Sequence, residues 1–163
     1  MAVYRPTKTT KLPPIDAINR GILTSLQANG RMSNVELADE AGITPPPCLR
    51  RLKALEDSGV IKGYQAVIDN KKVGWEVIFF VVVELESQKE QVLIEFEQMV
   101  TSWPEVREVH MIKAGGDFLL KLVAKNSEHE SKLIQKLQSS SYINRVQSLS
   151  IIQTNYQKTG VQF

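Results

Sequence analysis

The sequence predicts an α+β chain in two parts, a small helical module followed by a domain of alternating strands and helices. Three observations carry this. Apolar positions across residues 15–58 recur with helical spacing, interrupted at Gly30 and Gly42. Residues 76–85, EVIFFVVVEL, give the strongest strand signal in the chain. Beyond them, helix and strand patterns alternate as far as residue 156.

Composition sets the outer bounds. The chain has 163 residues, 42% hydrophobic and 23% charged, which suits one or two small globular domains. It has neither a signal-peptide pattern nor a spanning apolar run, so a cytoplasmic protein without a membrane partner is expected. A single cysteine excludes an internal disulfide and any cysteine-based metal cluster. Net charge is +2, but residues 1–75 hold 11 Lys+Arg against 7 Asp+Glu, and the remainder 9 against 11. A basic front and a mildly acidic rear fit a nucleic-acid module joined to another domain.

Residues 1–14 contain Arg5, Lys8 and Lys11 with no acid and read as a basic flexible arm. Two roles stay open for it, phosphate contact or a tail that aids solubility. Residues 15–29 form an amphipathic helix with Ile15, Ile18, Ile22, Leu23 and Leu26 on one face. Ser33 and Glu36 then make a capping box, starting a helix that turns Val35, Leu37, Ala38 and Ala41 inward. Gly42 supplies a turn tolerant of positive φ. A further helix over residues 46–58 clusters Cys48, Leu49, Leu52 and Leu55 on its apolar side, with Arg50 and Ala54 opposite and Arg51 and Lys53 flanking. Cys48 is therefore expected as a buried small hydrophobe.

The entry to that helix, Thr44-Pro45-Pro46-Pro47, is unusual. With Thr44 as cap, proline at the next positions leaves the hydroxyl no backbone donor to accept from. It also removes the N–H groups that hold phosphate at a helix start, so rigidity is expected here and phosphate contact from side chains. Two short helices across a tight turn, followed by a strand over residues 60–68 that starts a wing, make a winged helix-turn-helix over residues 15–63. Residues 64–75 continue that strand and lead out as a linker.

In the strand over residues 76–85, both alternating sets are apolar. One is Val77, Phe79, Val81 and Val83; the other is Ile78, Phe80 and Val82. A sheet with one wet face alternates with polar residues, so both faces are covered. Helices cover one face, and a second copy of the chain is the economical cover for the other. A helix follows over residues 89–100 with Val92, Leu93, Phe96, Met99 and Val100 inward. Strands at 106–112 and 118–124 are joined by a glycine-containing hairpin, residues 113–117. A helix at 128–137 capped by Ser127 and a last buried strand at 145–156 complete β-α-β-β-α-β, the ferredoxin-like order, over residues 76–157. Residues 158–163 are a tail.

The hairpin has chemistry of its own. Gly115 and Gly116 leave backbone N–H groups open to a carboxylate, and Asp117 suits an ammonium group. The same residues also make an ordinary hairpin turn with an exposed aspartate. His110, read as a packed sheet residue, and His129, read as solvent-facing, share no ligand spacing with each other or with Cys48. No catalytic or metal-binding set emerges.

VELADEAGITPPPCLRRLKALEDSGVIKGYQAVID closely resembles the DNA-binding half of the leucine-responsive/AsnC (Lrp/AsnC) family of transcription regulators. The Pro-Cys-Leu entry, the Arg-x-x-x-Leu-Glu run and the G-x-I-x-G-Y that follows carry the resemblance. HMIKAGGDFLLKL is similar to that family's effector loop, although Ala114 stands where glycine is usual and Gly116 where an aromatic is frequent. The resemblance implies DNA contacts from Ser33, Asn34, Thr44, Pro46, Pro47, Arg50, Arg51 and Lys53. It implies an effector site at Met111, Lys113, Ala114, Gly115, Gly116 and Asp117. The expected protein is a sequence-specific DNA-binding transcription regulator responsive to an amino acid or related small molecule, nucleoid-associated and without a cofactor. Its expected partners are double-stranded DNA, the effector and itself, as a homodimer or an octamer made from four dimers. The rival expectation is an architectural, DNA-compacting protein with low sequence preference and no effector.

Overall fold

The computed structural model describes residues 12–113, 115–157 and 160–163. Most of the expected arm and Ala114 lie outside the described residues, as do Lys158 and Thr159 of the tail. The chain forms two compact units. The first ends at Val67 and takes in Gln157–Phe163; the second is Ile68–Tyr156.

In the first unit, α1 spans Ala17–Ala28, α2 Asn34–Glu40 and α3 Pro45–Asp57. Asp16 caps α1 by accepting the Asn19 backbone N–H at 2.8 Å. Both halves of the expected capping box form at α2. The Glu36 N–H donates to Ser33 Oγ at 3.3 Å, and the Ser33 N–H donates to Glu36 Oε2 at 2.6 Å. The Ser33 backbone N–H first, then the Ser33 hydroxyl, holds the Glu36 carboxyl below its ordinary range. Gly42 takes φ +66°, and the chain turns so that the Ile43 N–H reaches Ala38 O at 2.9 Å. Ile22, Leu23, Leu37, Ala38, Cys48 and Leu55 form the buried core. Burial pushes the Cys48 thiol up, in keeping with a packing role.

Three expectations for this unit need correction. Val35 is 64% exposed and Leu49 41% exposed, so neither belongs to the core. Residues 60–68 form no strand. Their β-type sequence lacks a ladder partner among the described residues, and β-propensity is realised only against a neighbour. The segment is instead fixed at its start, where the Ile61 N–H closes on Leu55 O at 3.0 Å and Tyr64 Oη donates to Glu56 at 2.8 Å. Desolvation first, then the Glu56 carboxylate, pushes the Tyr64 phenol up to about 12.

The second unit contains β1 Val77–Leu85, α4 Glu90–Thr101, β2 Val106–Met111, β3 Phe118–Ala124, α5 Ser127–Gln138 and β4 Ile143–Ser150. The sheet order is β2-β3-β1-β4 with every pair antiparallel, the ferredoxin-like arrangement. Phe79, Val81, Val83, Leu120 and Leu122 meet Phe96, Val100, Leu133 and Leu137 of the two helices. The Phe96 and Phe118 rings sit 4.9 Å apart and tilted, a favourable aromatic geometry. On the other face, Ile78, Phe80 and Val82 of β1 are only half-buried. The register sets Val123, Lys121 and Leu119 beside them on one side, and Leu149 and Gln147 on the other.

Here too some expectations fail. The α5 cap is Asn126, which accepts the His129 N–H at 2.9 Å; Ser127 lies inside the helix. The last strand stops at Ser150, leaves most of its residues exposed, and is followed by a fully exposed Ile152. His110 is an exposed edge residue 3.1 Å from Glu108, because β2 lies at the sheet margin. His129 is half-buried, 6.3 Å from the Trp75 ring and 3.5 Å from Glu105. Trp75, expected in a linker, therefore packs within the second unit.

Candidate functional site

The outward face of α3 is the first candidate. Pro46, Leu49, Arg50, Lys53, Ala54 and Asp57 follow one another at helical i, i+3, i+4 spacing and line a single shallow depression. Arg50 and Lys53 are exposed, and neither enters an ion pair among the described residues. A rigid helix with two unpaired cations around a small residue can approach a groove closely, because Ala54 adds little bulk between them.

Arg51 has a different task. Its Nη1 donates to Asp16 Oδ2 at 2.8 Å and to Asn19 Oδ1 at 3.1 Å, across 35 and 32 residues of sequence. Asn19 is buried and in turn donates to Pro14 O at 2.7 Å. The guanidinium therefore ties α3 to the start of α1. The Asn19 backbone N–H, then Arg51, holds the Asp16 carboxyl below its ordinary range.

Three other expected positions lie at the starts of α2 and α3. Thr44 caps it without any side-chain bond, as the prolines dictate. Asn34 Nδ2 donates to Pro45 O at 2.9 Å, joining the first residue of α2 to the first of α3. The Ser33 hydroxyl is engaged by the capping box. Pro47 is half-buried and Pro46 exposed. Of the eight expected residues, the structure thus gathers Pro46, Arg50 and Lys53 on one open face, and uses Ser33, Asn34 and Arg51 to hold that face in place.

The hairpin loop is the second candidate. Met111, Lys113 and Gly115 are exposed, whereas Asp117 is buried. Asp117 Oδ2 accepts the Leu85 N–H at 2.7 Å, and Oδ1 accepts Gln88 Nε2 at 3.0 Å. The Asp117 N–H donates to Val83 O at 2.8 Å. Both carboxylate oxygens accept bonds from the chain itself, and Asp117 is buried where an exposed hairpin aspartate was the alternative expectation. Gly116 takes φ +153°, and a Cβ there would stand 2.6 Å from Val82 Cγ1, so the loop lies directly on β1.

Beside Gly115 is a pit lined by Val82, Glu84, Arg145 and Gln147, with a volume of about 10 Å³, room for a single water. Glu84 and Arg145 are paired residues of adjacent strands, and Asn144 Nδ2 donates to Glu84 at 3.0 Å. Sequence reasoning passed over these two charges. The available signal was Glu84 itself, an acid within an otherwise apolar strand.

Residues 15–62 match the winged helix-turn-helix DNA-binding family, and residues 78–161 match the Lrp/AsnC ligand-binding domain. The chain belongs to the Lrp/AsnC family. It is 40% identical over 139 residues to a leucine-responsive regulatory protein of Rhizobium meliloti (strain 1021), covering 85% of this chain and 89% of that one. A leucine-responsive regulatory protein of Haemophilus influenzae is 35% identical, with 74% and 72% covered. Among solved structures, a Neisseria meningitidis transcriptional regulator in complex with L-Met superposes with TM-score 0.85 at 30% identity, over 91% of this chain and 96% of that one. This Lrp/AsnC protein is therefore a DNA-binding transcription regulator with a ligand-binding domain, in a family of regulators and not of enzymes. No described helix is long and apolar enough to cross a membrane.

Proposed function

We propose that this Lrp/AsnC regulator reads specific duplex sequences through α3, works at the nucleoid, and changes its DNA binding when an amino acid occupies its second unit. The observation that carries the DNA reading is the division of labour between neighbours. Arg51 anchors α3 to Asp16, while Arg50 and Lys53 stand unpaired on the open side. Arginine and lysine so placed match guanine acceptors or phosphates in the major groove. The amino-acid reading is supported by the L-Met complex of the Neisseria relative. On this chain Glu84 and Arg145 set opposite charges beside Gly115, which suits a zwitterion resting over the loop and not inside the water-sized pit, and Asp117 shapes that loop. The apolar face of β1 pairs with a second copy of the chain, because Ile78, Phe80 and Val82 are otherwise left to water.

The test is a selection from random duplexes with the full chain, followed by titration of the winner and its scrambled version at fixed salt. A ratio of about a thousand or more supports specific reading; a ratio near one favours a compacting protein of low preference. Repeating the titration with each of the twenty amino acids identifies the effector by the shift it causes.

A further inference from the structure

Leu49 falls in the apolar set on a helical wheel, yet it is 41% exposed and lies on the same face as Arg50 and Lys53. The wheel misassigns it because the core side of α3 is narrow. Cys48 and Leu55 are fully buried and Leu52 half-buried, which fills the space against α1 and α2. Leu49 is one step outside that stripe, four residues before Lys53 and three after Pro46. It therefore presents a branched apolar tip in the depression bounded by both cations.

We infer that Leu49 is a specificity-determining residue that reads the 5-methyl group of thymine. This deepens the DNA-binding reading and rests on it. Arg50 and Lys53 against the single carboxylate of Asp57 leave the depression net positive, so it is complementary in charge to duplex DNA and not to an apolar protein segment. Only the A·T pair offers an apolar group in the major groove, the thymine methyl, and apolar side chains recognise it by contact. Arg50 supplies the hydrogen-bonding half of the readout and Leu49 the apolar half. With Ala54 on the same face, the helix can sit low enough for both. Leu49 then adds a preference for the thymine methyl that hydrogen bonds to the base edges alone do not supply.

The experiment uses the full-length chain and the duplex recovered by random-library selection. Each thymine in that duplex is replaced in turn by deoxyuridine, which deletes the methyl and preserves all hydrogen-bonding groups. For the parent chain, at least one replacement weakens binding about fourfold, the scale of one buried methyl. For L49A the same replacement has no effect, and the two chains bind the deoxyuridine duplex nearly alike. L49M, which keeps an apolar reach, retains part of the discrimination. Since Leu49 is outside the core, all three proteins keep the same thermal midpoint. If selection yields a consensus but no deoxyuridine replacement matters, or if L49A discriminates like the parent, the inference is overturned and specific DNA binding stands. If selection yields no consensus, specific DNA binding itself fails, and the inference with it.

Discussion

Arg51 donates to Asp16 across 2.8 Å, so two neighbouring arginines on one helix have opposite duties. Arg50 faces outward and Arg51 faces α1. R51A removes the tie between α3 and α1, and the expected result is a lower thermal midpoint for the first unit. At temperatures where the variant is folded, its DNA affinity should stay within about threefold of the parent, a change of ~0.7 kcal/mol. Differential scanning calorimetry beside an anisotropy titration separates the two effects.

The pH response follows from the same carboxylate. Asp16 and Glu36 both titrate below their ordinary ranges when folded. A depressed carboxylate stabilises the fold above its unfolded pKa, and that stability is lost as pH falls through the folded value. Urea midpoints should therefore change little between about pH 7 and 5 and decline below. The double variant D16N/E36Q should start less stable and show a shallower acid decline. Parallel acid curves for both proteins would remove these two groups from the account.

Asp117 holds its loop by accepting from Leu85 and Gln88, and D117A leaves a buried backbone N–H unpaired. The expected loss is about 1–3 kcal/mol in urea unfolding. D117N keeps one acceptor oxygen and should lose less. A D117A chain as stable as the parent, yet blind to effector, would return Asp117 to a direct ligand role.

Gly116 gives a second handle on that loop. G116A asks an alanine to hold φ +153° with its methyl 2.6 Å from Val82 Cγ1 and 3.0 Å from Val83 O. The loop should lift from β1, with destabilisation of roughly 1–3 kcal/mol from the special backbone position. Fast amide exchange at Asp117 would report the lift directly.

The open sheet face predicts self-association. Sedimentation of the parent at micromolar concentration should show a dimer or larger. F80K places a charge on that face beside Lys121 and should shift the protein towards monomer. An unchanged assembly in F80K would place the interface elsewhere.

Much of this architecture is legible in the sequence, for a physical reason that also marks the limit. The capping box of Ser33 and Glu36 and the uncapped Thr44 depend on residues three apart, so local reading captures them. The continuous apolar character of β1 likewise announces a central strand. What local reading missed are partners chosen by tertiary contact. Arg51 finds Asp16 and Asp117 finds Leu85, each more than 30 residues away, and both were read as ligand-facing. Leu49 and Val35 failed differently, because each lies at the border of a helical stripe where packing decides exposure. The unformed wing strand at residues 60–68 shows the same rule for sheets, since a strand needs a neighbour as well as a sequence.

The central claim is that the outward face of α3 reads DNA while Arg51 only supports it. Its most direct test is anisotropy titration of one selected duplex, over a series of salt concentrations, with the parent, R50A, K53A and R51A. The account predicts a loss of about 1–3 kcal/mol for R50A if it contacts a base, with the scrambled duplex less affected. For K53A against phosphate it predicts a salt slope shallower by about one unit, and for R51A a slope like the parent's. Parent-like binding by both R50A and K53A, with R51A alone defective in the folded state, would contradict it.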